Sequence, residues 1–436
     1  GGTARGAAGV TGFLVFVGVV ALVLINVPIA VALGIAAVVA MLVTQGSAFL
    51  PNVAITMFQG ATSFPLLAIP LFILAGAIMN TSGISRRLIE FTGALLGSMR
   101  GALAQVNVMT SMFFAEISGS AVADVAATGS ILIPAMKKRG YPAPFTAAVT
   151  SSSASLAIII PPSIPMILYA VMAGTSVVQM FVAGIVPGLI AGFGMMGLCY
   201  WYAVRYNWPV EEAFQLRRLG RAFREAAWAL TMPLIILGGI FGGIVTATEG
   251  AALAVVAALF IGMVIYRELD WAHLRDAIIE GGVQTGAVML LVAASALLGL
   301  YLTEAQLPQR LAQQMTQLTS DPWFVLALLN VFFLFVGMFL HSAAAIILVV
   351  PIVMPVVSAV GIDPIHFGII VTLNLAIGQQ TPPVASVLMI TCSIAKENVW
   401  TVTKANIPFI GVLLATLLLV TYVPATTLSL VNLFYR

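Results

Sequence analysis

The sequence predicts an all-α polytopic membrane protein built from two repeats of inverted topology, each holding a re-entrant helical hairpin and a broken transmembrane helix. Three observations carry this. Hydrophobic residues make up 61% of the 436-residue chain and charged residues only 8%, against roughly 25% charged in a soluble domain. Two apolar runs too long for one ordinary span each contain a proline pair, Pro161-Pro162 and Pro382-Pro383. The two halves of the chain overlay in register around those pairs.

Apolar segments run over 10–25, 27–43 and 64–80, then 102–133 and 143–173, then 180–202, 230–245, 248–266 and 282–303. They continue over 323–340, 343–360, 366–394 and 407–434. At roughly 20 residues per span the chain holds about ten or more crossings. No stretch is polar enough for a separate soluble domain. The segments 102–133 and 323–360 carry polar or small breaks at mid-length, Ser118-Gly119-Ser120 and His341-Ser342. Such breaks suit re-entrant hairpins whose halves are each too short to span. In 143–173 and 366–394 the proline pairs remove amide donors and clash with the preceding turn, so each helix should break there. The run Ser151 to Ser155 and the stretch Gly378 to Thr381 precede the breaks and can satisfy freed backbone groups or bind a ligand. Irregular backbone at membrane depth survives only where it is buried in protein or lines a cavity.

The repeat is read from the same features. Pro134 and Pro355 are each followed at equal distance by Gly140 and Gly361, and at a further equal distance by the proline pairs. Ser120 and Ser342 meet with a one-residue adjustment. Upstream, 84–96 overlays 307–318, and both read as interfacial arm helices. The basic stretch 211–227, flanked by Trp208 and Trp228, reads as a helix lying on the membrane surface with an aromatic anchor. Glu249 is expected to cap the helix that it starts. The expected division is 7–100 scaffold and arm, 101–178 hairpin and broken helix, 179–322 scaffold, connector and second arm, 323–398 second hairpin and broken helix, and 399–436 a C-terminal scaffold helix.

Fifteen basic residues, among them Arg86, Arg87, Arg100, Lys137, Lys138, Arg139, Arg217, Arg218, Arg221 and Arg224, fall on one side, leaving Arg5, Arg310 and Arg436 on the other. The positive-inside rule makes the crowded side cytoplasmic. Both termini are then periplasmic, and the two hairpins enter from opposite faces. Inverted repeats with broken helices meeting near the midplane are the pattern of a secondary transporter.

The net charge of +3 comes from basic loops and not from a basic face, so no nucleic-acid partner is expected. Cys199 and Cys392 lie far apart in apolar surroundings and read as small core hydrophobes. Three histidines form no metal-spaced cluster with them. The opening Gly1 to Gly6 reads as a processed end or cloning scar.

The motifs Ser63-Phe-Pro-Leu-Leu-Ala-Ile-Pro-Leu-Phe-Ile-Leu-Ala-Gly76, Phe113-Phe-Ala-Glu-Ile-Ser-Gly-Ser-Ala-Val-Ala-Asp124, Pro134-Ala-Met-Lys-Lys-Arg-Gly-Tyr141, Ile159-Ile-Pro-Pro-Ser163 and Gly361-Ile-Asp-Pro-Ile-His-Phe-Gly368 resemble the large membrane (M) subunit of tripartite ATP-independent periplasmic (TRAP) transporters. The resemblance runs from about Val10 to the C-terminus. It implies an importer of a small organic acid anion (C4-dicarboxylate, sialic-acid or sulfonate class) in a bacterial inner membrane, coupled to Na+ and using no organic cofactor. The implied partners are a small membrane (Q) subunit and a periplasmic substrate-binding (P) protein, and the implied motion is an elevator. The family pattern also leads one to expect an acidic residue near His341, Gly-Pro at Ala157-Ile158, proline at Ala247 and glycine at Ala385, which this chain lacks.

Within that reading, a sodium ion needs about five or six mostly neutral oxygens, which hydroxyls and unwound carbonyls supply. Ser118, Ser120, Ser151, Ser153 and Ser155 are the candidates for one ion site; Ser342, Asn374, Gly378 and Thr381 for the other. Ser120, Asp124, Pro161, Ser163, His341, Gln379 and Gln380 are the candidates for substrate contact, because helix N-termini at the tips favour an anion. Two other classes compete: a stand-alone elevator carrier or antiporter, and an intramembrane serine hydrolase using Ser120. The hydrolase needs a base, yet all three histidines fall in the second half.

Overall fold

The structure, a computed structural model, describes residues 27–435 apart from 209, 211, 212 and 320, together with 15, 18, 19, 21, 22 and 25. The first apolar segment, Arg5 and Arg436 therefore lie wholly or largely outside the described residues. Helices follow one another as α1 (Ile29–Gln45), α2 (Leu50–Ala61), α3 (Ala68–Thr81), α4 (Ile84–Leu96), α5 (Ala102–Ser118), α6 (Ala121–Asp124), α7 (Ser130–Lys138), α8 (Ala143–Ala154), α9 (Ile164–Ala173) and α10 (Val177–Arg205). The chain continues through α11 (Leu216–Phe241), α12 (Ala247–Phe260), α13 (Trp271–Glu304), α14 (Leu307–Leu318), α15 (Pro322–Phe339), α16 (Ser342–Ala359), α17 (Pro364–Gly378), α18 (Ser386–Ala395), α19 (Val399–Tyr422) and α20 (Ala425–Tyr435). Among the described residues eight helices are long and apolar enough to cross a membrane. The protein is multi-pass.

Both proline pairs interrupt their helices. After α8 the chain tightens into a 3₁₀ turn, Ser155–Ile158, and resumes as α9 beyond Pro161-Pro162; α17 stops at Gly378 and resumes as α18 beyond Pro382-Pro383. Both proline-proline bonds are cis. Each break is docked by its own hairpin tip. The Ile164 N–H donates to the Gly119 carbonyl at 3.4 Å, and the Val384 N–H donates to the Met338 carbonyl at 3.3 Å. Gly119 has φ +58, and a Cβ there would lie 2.9 Å from the Pro162 carbonyl, so both conformation and contact require glycine.

The second hairpin corrects one expectation. α15 and α16 are 18 residues each and apolar enough to span, so short length does not set its re-entry. The docking of its tip on the break does.

Two hydrogen bonds fix the inverted relation. Lys137, at the base of the first hairpin, donates its Nζ to the Ala395 carbonyl at the outer end of α18. Tyr169, just past the middle of α9, donates its hydroxyl to the Pro364 carbonyl at the start of α17, beside the base of the second hairpin. Because α8 starts where the first hairpin ends, and α9 runs away from it, the two bases lie on opposite faces.

Packing shows which neighbours the expected segments have. α10 and α19 occupy the same register in the two repeats, and with α20 they pack against α5, α8, α9 and α17 rather than on the scaffold. Segments 177–205 and 399–435 therefore group with the hairpins and broken helices. The other body is α13 packed on α1, α2 and α3, with α12 on α3 and α11 against α4 and α12. Hydropathy marks a helix as apolar without saying which neighbour it covers.

Two further readings change. The basic stretch is no separate surface helix: Arg217, Arg218, Arg221 and Arg224 sit in the first turns of the continuous α11. Trp208 is packed against Tyr141 and Phe145, ring centroids 4.6 Å from each, instead of anchoring an interface. Glu249 does cap its helix, in a capping box with Thr246. Cys199 and Cys392 are free and buried.

On the basic face, Glu268 receives Arg87 at 2.7 Å and Arg86 at 2.9 Å, and Arg87 lies over the Tyr266 ring. Partial burial pushes the Glu268 carboxyl up, but hydrogen bonds and charge from Arg87 and Arg86 outweigh it and hold it below the usual range. A depressed folded value stabilises above the unfolded pKa of about 4.3 and is lost as pH falls through the folded one. Glu268→Gln should therefore lower thermal stability by about 1 kcal/mol near neutrality, allowing for its partial exposure. The deficit should shrink below about pH 4; a deficit unchanged by acid would remove the ion pair from the account.

Gly378 and Gly337 let α17 and α15 touch. A Cβ on Gly378 would lie 2.4 Å from the Gly337 carbonyl carbon, whereas one on Gly337 would lie 3.2 Å from the Gly378 Cα. Gly378→Ala should cost about 1–3 kcal/mol and Gly337→Ala clearly less. Melting of the detergent-solubilised variants gives the order, and equal losses would contradict the packing.

Candidate functional site

A cavity of about 360 Å³ lies where the two tips meet. The first tip contributes Gly119, Ser120 and Ala121 to Ala123, and the second contributes His341, Ser342 and Ala343. Ile158, Ile164 and Pro165 come from the first broken helix and Gln379 from the second. The scaffold closes the far wall with Ile73 of α3 and Gln284, Ala287, Val288 and Leu291 of α13. No lysine or arginine is among the lining residues.

The local sequence explains how the tips present polar groups. Ser120 is the N-cap of α6 and accepts from the Ala123 N–H, and a π-helical turn at Val125–Gly129 carries that helix into α7. α16 starts at Ser342 immediately after His341. Each tip therefore aims the amide end of a helix at the cavity, where negative charge is favoured. Gln379 is buried, and neither its Oε1 nor its Nε2 has a hydrogen-bond partner. A buried carboxamide without partners costs about 1–3 kcal/mol, so it is a group held ready for something else.

The structure thus brings Ser120, His341, Ser342 and Gln379 together around one space. It does not bring the other candidates there. Gln380 has its carboxamide engaged with Ser152, Ser155 and Asn406, away from the cavity. Ser163 donates to the Ile158 carbonyl at 2.8 Å, and Pro161 is buried in the break. Asp124 is fully buried beyond the tip; neither carboxylate oxygen completes a hydrogen bond of normal geometry, although the Ser111 and Thr128 hydroxyls are its polar neighbours. The side chain of Ser118 lies outside the described residues.

Nor do the serines of α8 converge. At roughly 100° per residue, alternate residues of a helix face nearly opposite ways. Ser153 donates to Asn107 Oδ1 at 3.0 Å and lies 3.1 Å from the Ser111 hydroxyl, both on the first hairpin. Ser155 instead donates to the Ser152 carbonyl and accepts from Gln380. The Ser151 hydroxyl is buried without a partner. In the second repeat Asn374 donates to Asn330 Oδ1 at 2.7 Å, Asn330 donates to Thr421, and Thr381 donates to the Ile377 carbonyl.

The sequence reading missed Asn107, Asn330, Gln284 and Asn406. Asn107 and Asn330 hold nearly the same register, each accepting from the broken helix at the matching positions Ser153 and Asn374, so the overlay already contained that signal. Gln284 donates to Glu280 one turn away on α13; a polar residue inside a long apolar segment was its mark.

The sequence profile described as "Tripartite ATP-independent periplasmic transporter, DctM component" matches residues 16–426. The isethionate TRAP transporter permease protein DctMQ of Oleidesulfovibrio alaskensis is 42% identical over 92% of this chain and 63% of its own length, so the chain spans less than two thirds of that relative. The C4-dicarboxylate TRAP transporter large permease protein DctM of Pseudomonas aeruginosa is 40% identical over 87% of this chain and 89% of its own. The 2,3-diketo-L-gulonate TRAP transporter large permease protein YiaN of Escherichia coli is 37% identical over 85% and 87%. The crystal structure of the Alcanivorax borkumensis YdaH transporter superposes with TM-score 0.64 at 15% identity, covering 86% of this chain and 89% of that one, a likeness of fold. These relatives are transport permeases, so the chain is not an enzyme and the serine hydrolase falls away. The chain belongs to the DctM-component family of tripartite ATP-independent periplasmic transporters, the large permease subunits.

Proposed function

We propose that the chain carries a small organic acid anion inward across a bacterial inner membrane, driven by sodium, after delivery by a periplasmic binding protein and alongside a small membrane subunit. The observation that carries this reading is the cavity between the tips. It has no lysine or arginine, so an anion there would be met by helix amide ends, the Ser120 and Ser342 hydroxyls, His341 and the free Gln379 amide. Such neutral contacts release their ligand more readily than a buried ion pair, whose rupture costs about 3–5 kcal/mol.

The wall of the cavity also supports an elevator. One side is formed by the hairpins and broken helices and the other by α3 and α13 of the scaffold, so a slide of one body on the other carries the site along. Sodium is assigned to two sites related by the repeat. One uses the first tip at Ser118 and Ser120 with Ser151, Ser153 and Ser155, of which Ser153 and Ser155 would have to turn from Asn107 and Gln380 to converge on the ion; the other uses Ser342, Asn374, Gly378 and Thr381. Both termini are assigned to the periplasm by the basic side chains. The names of the relatives suggest isethionate, a C4-dicarboxylate or 2,3-diketo-L-gulonate as test substrates.

In proteoliposomes with its small subunit and cognate binding protein, the chain should take up one of these acids under an inward sodium gradient; uptake unchanged by potassium replacement would end the coupling claim. Ser120→Ala and Ser153→Ala should each raise the sodium half-saturation about tenfold, near the 1.4 kcal/mol expected for one lost polar contact. Gln379→Ala should instead raise the substrate KM about tenfold with little change in sodium dependence. A sodium effect confined to Gln379 would reverse the two assignments.

A further inference from the structure

The two broken helices are equivalent by register, yet the contact between them is not. Ile159 in the first repeat matches Gln380 in the second, Ser152 matches Leu373, Ser155 matches Ala376, and Ile185 of α10 matches Asn406 of α19. One side of the pseudo-symmetric contact is therefore apolar. The other is a buried polar bridge.

Gln380 Nε2 donates to Ser155 Oγ at 2.9 Å and to the Ala376 carbonyl at 3.2 Å. Its Oε1 accepts from Asn406 Nδ2 at 3.1 Å and from the Ser152 hydroxyl at 2.5 Å. The same Ser152 hydroxyl lies 2.7 Å from Asn406 Oδ1. It has one hydrogen for two acceptors, so only one of the two bonds is made at a time. All four side chains are fully buried. A closed polar network in a low-dielectric interior responds as a unit, because losing one bond leaves a costly orphan.

The bridge reaches from one break to the other. Ser155 is assigned above to the first sodium site, and Gly378 and Thr381, assigned to the second, flank Gln379 and Gln380 in the chain. We infer that Gln380 is a positioning residue coupling the two ion sites: ligation of sodium by Ser155 shifts the hydrogen bonds of Ser152, Gln380 and Asn406 and so sets the backbone of the second break. This rests on the two-site sodium reading above. Coupling energies between sites are typically about 1–3 kcal/mol, equivalent to a 5–150-fold change in affinity.

The test is the sodium dependence of uptake at saturating substrate, with sodium binding to the purified complex followed in parallel. The wild-type complex should show a Hill coefficient approaching about 2, the limit for two coupled sites. Gln380→Leu, which restores the apolar character of the first repeat, should bring it to about 1. Asn406→Ala removes one arm of the bridge and should give an intermediate value. A structural role alone would lower melting temperature and leave the Hill coefficient in place.

If Gln380→Leu does not fold, Asn406→Ala decides. A wild-type Hill coefficient retained by the folded variants overturns the inference and leaves the sodium reading standing, as does a wild-type coefficient of one with sodium still required. Absence of any sodium requirement in the wild type overturns the sodium reading, and the inference with it.

Discussion

Everything in this protein depends on how the open backbone at the two helix breaks is satisfied inside a membrane. A freed amide or carbonyl in hydrocarbon costs several kcal/mol. Here the answer is local and repeated: each re-entrant tip lays a carbonyl against the break of its own repeat, Gly119 to Ile164 and Met338 to Val384. Because the tips dock on the breaks, they end near the middle of the protein. Because the hairpins enter from opposite faces, the two tips meet there, and the cavity is the space left between them.

Small residues make the docking possible. Gly119 takes a left-handed conformation with its Cα against Pro162, and Gly378 lies on Gly337 with no room for a methyl group. The polar side chains around them divide into two kinds. Those on the bridging faces, such as Gln380, Asn406, Asn107 and Asn330, are hydrogen-bonded and hold helices in register. Those facing the cavity are fewer, and Gln379 among them has no partner. The contrast between adjacent glutamines follows from helix geometry, since neighbours near a helix end point about 100° apart.

Much of the architecture was legible in the sequence. The proline pairs gave the breaks, Ser118-Gly119-Ser120 and His341-Ser342 gave the tips, and the equal spacing from Pro134 and Pro355 gave the repeat. Those signals are local, because a proline breaks a helix wherever it stands. What stayed hidden depends on which face a helix presents. α2 was not read, being a 12-residue helix with Pro51, Asn52 and Gln59 among its apolar residues. α10 and α19 read as scaffold because apolar residues cover either a lipid or a neighbouring helix equally well. The serine run was legible as polar, but its division between Asn107 on one side and Gln380 on the other needs the backbone trace.

The central claim is that both tips bound one shared site and respond together to sodium at two coupled sites, and accessibility at the two tips tests it most directly. In a chain with Cys199→Ser and Cys392→Ser, the variants Ser120→Cys and Ser342→Cys can each be labelled with a membrane-impermeant maleimide in sodium chloride and in potassium chloride. The account predicts that sodium slows labelling at both positions together, by roughly tenfold for a 1.4 kcal/mol shift in the open population. Slowing at one tip alone, or at neither, would contradict it.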